Sequence, residues 1–371
     1  MEYFAVQREG FEEIKAALYS IVSISNYIYA KNFFAEKLAY VQKKCYLCSD
    51  FMSITMKKTF RLLVMVSAVL VFGVQTMPAQ NAQIEGALPG VFSLKGGGSV
   101  RFSMGNLQYC AATNVWRFCP RQYGVVGAEG NGNIGSADNK SDNLRISPSY
   151  DGWIDLFCWG TSGWASGAKE YQPWSTSDES LDYLPEDLAP KDGNFRYDMV
   201  GSFSQADWGV HNPIQNGGNA PGLWRTLTFE EWQWIVLDRP NATNLNGMAT
   251  IQGARGMVLL PDDWEQPWGA SFEPGYGAGW DTNEYSYADW KPLEDAGAVF
   301  LPCAGQRYYD STLKRNVMSF LQESGRYWTA SSSINSRINA YSFTFNSIIY
   351  EMYTYDLRSF GQSVRLVTDN K

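Results

Sequence analysis

From Val100 to Met104 apolar and polar side chains alternate, with Val100, Phe102 and Met104 on one parity and Arg101 and Ser103 on the other. Tyr341-Ser342-Phe343-Thr344-Phe345 repeats the alternation. Successive side chains of a strand point to opposite faces, so both segments predict half-buried strands. Phe343 and Phe345 are then core residues, with Tyr341 on their side, whereas Ser342 and Thr344 face outward. Met257-Val258-Leu259-Leu260-Pro261 and Ala298-Val299-Phe300-Leu301-Pro302 are continuous apolar runs, the pattern of interior strands that stop at proline. Gln108-Tyr109-Cys110 and Val115-Trp116-Arg117 fit a hairpin turning near Ala112-Thr113, which sets Cys119 opposite Asn106.

Two helices follow from capping chemistry. Thr228-Phe229-Glu230-Glu231 is a capping box, Leu227 can staple onto Trp232, and the helix runs to about Asp238, before Pro240. A second helix is expected from near Asp289, with Pro292 in its first turn, to Gly297 as a left-handed cap. Few helices, many short strands and long loops over 124–143 and 265–285 make the chain α+β.

The N-terminal part reads differently. Met56-Lys57-Lys58 and Arg61 precede an apolar run from Leu62 to Val74, which ends near Met77-Pro78-Ala79-Gln80. Basic, then apolar, then small is the order of a secretory signal peptide, placed at residues 56–79. The run is about 13 residues against roughly 20 for a membrane span, so no stable span is expected after processing. Residues 1–55 then form a non-native extension ahead of initiation at Met56; the other reading is a helical N-terminal segment over 11–46. Cys45-x-x-Cys48 lacks a second ligand pair and is weak as a zinc or redox motif. Residues 80–371 read as a single domain, secreted or on the outer cell surface.

Charge and chemistry narrow the function. Residues 1–79 carry nine Lys/Arg and six Asp/Glu, so of the chain's −8 the remainder holds −11. An acidic domain without a basic stripe is a poor nucleic-acid binder. Cys110, Cys119, Cys158 and Cys303 fall in the exported part, where bridges are permitted. In the hairpin Cys110 and Cys119 sit roughly 13 Å apart along the ladder, too far for a disulfide; other pairings and four buried thiols remain open. His211, the only histidine, lies in a segment that reads as a strand end or turn. Asp262-Asp263 and Glu230-Glu231 fit caps and solvated faces better than glycosidase carboxylates. No catalytic residue, metal ligand or cofactor is assigned. Trp153, Trp159, Trp164, Trp174 and Trp268 could stack on sugars, but a loop-rich domain also needs large apolar side chains in its core.

The C-terminal text is the most informative. Arg326-Tyr-Trp-Thr-Ala-Ser-Ser-Ser333, Ala340-Tyr-Ser-Phe-Thr-Phe345 and Arg358-Ser-Phe-Gly-Gln-Ser-Val-Arg-Leu-Val367 follow in order. Upstream stand Val100 to Tyr109, Gly152 to Phe157, Trp159 to Gly163, Asn216 to Asn219, Leu223 to Leu227 and Leu260 to Trp264. Over about 85–371 the chain resembles bacterial proteins of the C-type lectin-like fold, in the branch similar to the formylglycine-generating (sulfatase-modifying) enzyme. Some members are variable proteins of diversity-generating retroelements, whose C-terminal residues are rewritten on a constant fold. The resemblance implies variable positions at Ile334, Ser336, Ile338, Asn339, Ser342, Thr344, Asn346, Ser347, Ile348, Tyr353, Thr354, Tyr355, Leu357, Ser359 and Phe360; an undiversified surface protein is the alternative. The enzyme branch holds copper on a cysteine pair near this end, and no cysteine follows Cys303 here.

The residue types agree with binding: tyrosine, serine and asparagine with scattered isoleucine and phenylalanine combine rigid contact area with adaptable hydrogen bonding. The expected ligand-binding set is Ile334, Ser336, Ile338, Asn339, Ser342, Thr344, Asn346, Ile348, Tyr353, Tyr355, Leu357 and Phe360, with Tyr353, Tyr355 and Phe360 exposed on loops. Exposed aliphatic and aromatic residues suit a protein ligand better than a glycan. The leading reading is an adhesin-like binding protein without catalysis. Its alternatives are an enzyme similar to the sulfatase-modifying group, which stoichiometric copper binding would support, and a structural subunit of a surface fibre.

Overall fold

The computed structural model describes residues 84–126, 128–129, 134–135, 142–178, 183, 197–275 and 279–370. The expected extension 1–55, the expected signal peptide 56–79 and Cys45-x-x-Cys48 lie outside the described residues. The chain divides after Gln80, and all that is described belongs to the unit Asn81–Lys371. That unit is a mixed α+β structure with many short strands, few helices and no closed barrel among the described residues.

In chain order the strands are β1 (Phe92–Ser93), β2 (Ser99–Phe102), β3 (Leu107–Cys110), β4 (Val115–Phe118), β5 (Ala128–Glu129), β6 (Ile134–Gly135), β7 (Arg225–Thr226), β8 (Asn246–Ile251), β9 (Ala254–Leu259), β10 (Glu284–Tyr285), β11 (Val299–Pro302), β12 (Gln306–Asp310), β13 (Arg315–Ser319), β14 (Ser324–Ser332), β15 (Asn339–Asn346), β16 (Tyr350–Leu357) and β17 (Leu366–Asp369). Among the described residues three α-helices accompany them: α1 (Trp208–His211), α2 (Phe229–Gln233) and α3 (Tyr287–Asp295).

Sheet order β1-β2-β17-β7 ties the two ends of the domain together, with Val367 opposite Phe102 and Leu366 opposite Thr226. The alternation holds within β2, where Val100 and Phe102 are buried and Arg101 is half-exposed, but it stops there: Ser103, expected to face outward, is fully buried and Met104 only half-buried. Both continuous apolar runs lie in the second sheet, ordered β10-β8-β9-β11, as β9 and β11. Gln252 and Gly253, both at positive φ, form the two-residue turn between β8 and β9.

The β3–β4 hairpin forms as its pattern predicts, and the Cys119 N–H donates to the Asn106 carbonyl at 2.8 Å. All four cysteines of the domain are buried and unbridged.

The Thr228 hydroxyl accepts from the Glu231 N–H and the Glu231 carboxylate accepts from the Thr228 N–H, so the capping box is present. Beyond α2 the coil widens into a π-turn, Trp234–Asp238, which ends where expected. Leu227 and Trp232 share one core cluster with Phe92, Phe102, Tyr327, Phe343 and Phe345. The second predicted helix starts earlier than its pattern suggests. Ser286 and Asp289 form another capping box, so Pro292 stands in the second turn of α3 rather than the first. At the far end the Gly297 N–H donates to the Glu294 carbonyl and the Ala298 N–H to the Leu293 carbonyl, with Gly297 at φ 103. These paired bonds are the left-handed C-cap predicted there.

His211 is neither at a strand end nor in a turn. It closes α1, whose free N–H groups at Gly209 and Val210 are accepted by the buried Asp207. Of the five tryptophans considered for sugar stacking, Trp159 is fully buried, Trp153, Trp164 and Trp174 are half-buried, and Trp268 is wholly exposed.

Candidate functional site

The predicted binding segment folds into the antiparallel sheet β14-β15-β16 and its loops. One face meets α2: Tyr327, Phe343, Phe345 and Met352 join the Trp232 cluster, and Tyr341 lies 4.6 Å from the Phe229 ring. The burial expected for Phe343 and Phe345 is therefore present.

The opposite face is covered too, which corrects the reading of Ser342 and Thr344. Both are buried. After β16 the chain folds back, so that Phe157 and Gln362 exchange backbone hydrogen bonds while the Ser363 N–H donates to Arg326 and the Trp328 N–H to Ser363. Gln362 thereby reaches the Asp356 carboxylate, to which its amide donates at 2.6 Å. Ser342 donates to the same carboxylate at 2.9 Å, Arg326 pairs with it at 3.2 Å, and the Thr344 hydroxyl is 3.4 Å from that of Ser342. A carboxylate largely withdrawn from water needs such partners, so Ser342 and Gln362 belong to an internal polar network, whose Arg326 and Thr344 members also reach a surface hollow.

The remaining predicted residues divide between the two ends of the hairpin. Asn339 pairs with Leu357 and Phe345 with Tyr350, so the strand from Asn339 to Asn346 separates the ends by roughly 23 Å. At one end lie exposed Ile334 and Ile338 and half-buried Ser336, Asn339 and Leu357, with the Ser336 hydroxyl donating to Asn339 at 2.6 Å. Phe360 is also near the chain's return, but it is half-buried and packs 5.7 Å from the Tyr308 ring, so it is not freely exposed. Ser359 is buried. At the other end Asn346 accepts the N–H groups of Ile348 and Ile349, a side-chain turn that pushes Ile348 to 75% exposure. Tyr355, 54% exposed, stands between the ends and meets Tyr341 edge-on at 6.5 Å. Tyr353 and Tyr355 lie on β16, not on loops; the Tyr353 side chain is outside the described residues.

β16 is the last strand of its sheet. Thr354 faces Ser342 and Glu351 faces Thr344, so Met352 and Tyr353 together oppose Phe343, a bulge in the outer strand. Beside it opens a shallow cleft of about 700 Å³ lined by Leu237, Tyr350, Glu351, Met352, Thr354 and Tyr355. A second hollow of about 280 Å³ continues past Glu351 to Ile349, Asn346, Arg326 and Phe320, and Thr344, though mostly buried, lines it too. Leu237, Ile349, Tyr350 and Glu351 were missed by the sequence reading. Leu237, in the π-turn beyond α2, had a signal only as the end of the helix expected to run to about Asp238, whereas the other three lie inside the segment and become site residues because the turn and bulge aim them outward.

The conspicuous motif residues are scaffold. Arg358 is buried with its guanidinium 4.2 Å over the Trp159 ring, and burial pushes its pKa down to about 9. Arg365 is buried and donates to Gln122 at 2.8 Å; burial brings it to about 10. A side chain on Gly361 would meet the Arg307 guanidinium within about 3 Å. Among the described residues no three His, Cys, Asp or Glu side chains are grouped to hold a metal ion, and no helix is long and apolar enough to cross a membrane.

In comparison with known proteins, no family model, no curated protein and no solved structure matches the chain.

Proposed function

We propose that this is an exported, adhesin-like binding protein, secreted or held on the outer cell surface, with a C-type lectin-like fold. It grips a protein ligand at the free edge of β16. The observation that carries the reading is the cleft of about 700 Å³ between Leu237 and that edge, lined by Tyr350 and exposed Tyr355, with exposed Ile349 in the adjoining hollow and exposed Ile348 next to it on the turn. Isolated exposed apolar residues are ordinary, but aliphatic and tyrosine side chains around one open cleft match the anchors of protein interfaces.

The resemblance of the closing segment to the variable proteins supports the same reading. If the segment is diversified, tolerated changes belong at Ile334, Ile338, Ile348 and Tyr355, and not at Ser342. Amide hydrogen exchange on the complex with a captured ligand tests it. Exchange should slow over 347–357, and protection confined to other segments would reject this face.

A further inference from the structure

A second surface stands out on the sheet that carries α3. Between Arg255 and Lys291 the chain has no lysine or arginine, while Asp262, Asp263, Glu265, Glu273, Asp281 and Glu284 all fall in that stretch. The loop after Pro261 is fastened at its stem. Trp264, Ala270 and Phe272 pack against the cluster formed by Trp290, Leu293 and Phe300. Asn283 accepts from the Glu273 N–H at 2.9 Å and donates to its carbonyl at 2.8 Å, and the Tyr285 hydroxyl donates to Ser271 at 2.5 Å.

The tip is equally well defined. The Ala270 N–H donates to the Pro267 carbonyl at 3.1 Å with Gly269 at φ 80, which is a tight turn whose third position requires a left-handed residue. The Gln266 side-chain amide ties across it to the Ala270 carbonyl at 2.9 Å. Trp268 holds the second position and is 101% exposed. A tethered turn that leaves a whole indole in water has little ordering entropy to lose when that indole is covered.

The surroundings say what would cover it. Asp262 is committed to Arg239 at 2.6 Å and to the Ser93 N–H, but Asp263 and Glu265 are exposed beside the turn. An indole face attracts a cation, tryptophan most strongly of the aromatic residues, and flanking carboxylates add to that attraction while repelling phosphate and sulfate. We infer that the Trp268 turn is a second docking element that takes a cationic protein or peptide segment. An arginine or lysine of the partner stacks on the indole, and Asp263 and Glu265 balance its charge. This inference does not depend on the β16 face.

Fluorescence anisotropy with a labelled hexa-arginine peptide tests it on the wild type, Trp268→Ala, the double variant Asp263→Asn/Glu265→Gln and, as a control elsewhere, Leu313→Ala at an exposed residue of neither site. Chitohexaose, followed by calorimetry, provides the sugar arm. Trp268→Ala should weaken the peptide about five- to thirtyfold, with an unchanged melting temperature. The double variant should weaken it and flatten its salt dependence, and Leu313→Ala should bind like wild type. Equal affinity of wild type and Trp268→Ala overturns the inference, because the peptide then reads net charge alone. It is equally overturned if hexa-arginine fails to bind wild type, or if only chitohexaose binds in a Trp268-dependent way.

Discussion

The Ser342 hydroxyl donates to the Asp356 carboxylate at 2.9 Å, a bond between neighbouring strands in the interior of the segment expected to bind. The same carboxylate is met by Arg326 and Gln362. Ser342 is thus part of what fixes the hairpin, and change at this position should be felt as lost stability. Ser342→Asn adds volume to a closed site and disturbs the bond, so it should cost about 1–3 kcal/mol. Ile348→Asn, on the exposed turn, should stay within about 0.5 kcal/mol. Denaturant titrations of the two variants check the contrast; equal costs would contradict the division between network and surface.

The aromatic residues of the segment sort by burial in the same way. Phe343→Ala removes a fully buried ring from the Trp232 cluster and should cost about 3–5 kcal/mol. Tyr355→Ala should cost no more than about 0.5 kcal/mol, since that ring is mostly in water. Phe360→Ala should fall between them, at about 1–2 kcal/mol, because it gives up the contact with Tyr308. Thermal melts of the three variants establish the order.

Much of the fold was legible because the signals are local. The Thr228 box, the Gly297 cap, the β3–β4 hairpin and the interior strands β9 and β11 each follow from a few consecutive residues. The start of α3 was missed although Ser286-x-x-Asp289 is a box of the same kind, because proline was assigned to the first turn, where it is tolerated best. The outward face given to Ser342 and Thr344 failed for a different reason. Alternation tells which residues share a face, but whether the second face meets water depends on the return of 361–363, an arrangement of residues far from β15 in sequence. The closing motif reported the scaffold: Arg358, Gly361 and Arg365 are buried, while Leu237 entered the site with no mark in the sequence beyond ending a helix.

Asp207 supplies a dependence on pH. Burial pushes its carboxyl up to about 6 from an ordinary 3.8, against the N–H groups of Thr226, Gly209 and Val210, which hold it down. With the native pKa raised, the folded state binds more protons between those values. The stabilisation is complete below about pH 3.8 and is lost as pH rises through 6. Going from pH 7 to pH 5 should stabilise wild type relative to Asp207→Asn by about 1 kcal/mol. Unfolding curves of both proteins at the two pH values measure this, and a constant difference would mean that Asp207 titrates normally.

The binding face is tested most directly by titrating the captured protein ligand against Ile348→Asp, which places a charge on the most exposed apolar residue of the hairpin. Binding should weaken at least about tenfold, as for an interface anchor, while the melting temperature stays that of wild type. Undiminished affinity in a fully folded Ile348→Asp would contradict the placement of the ligand at the free edge of β16.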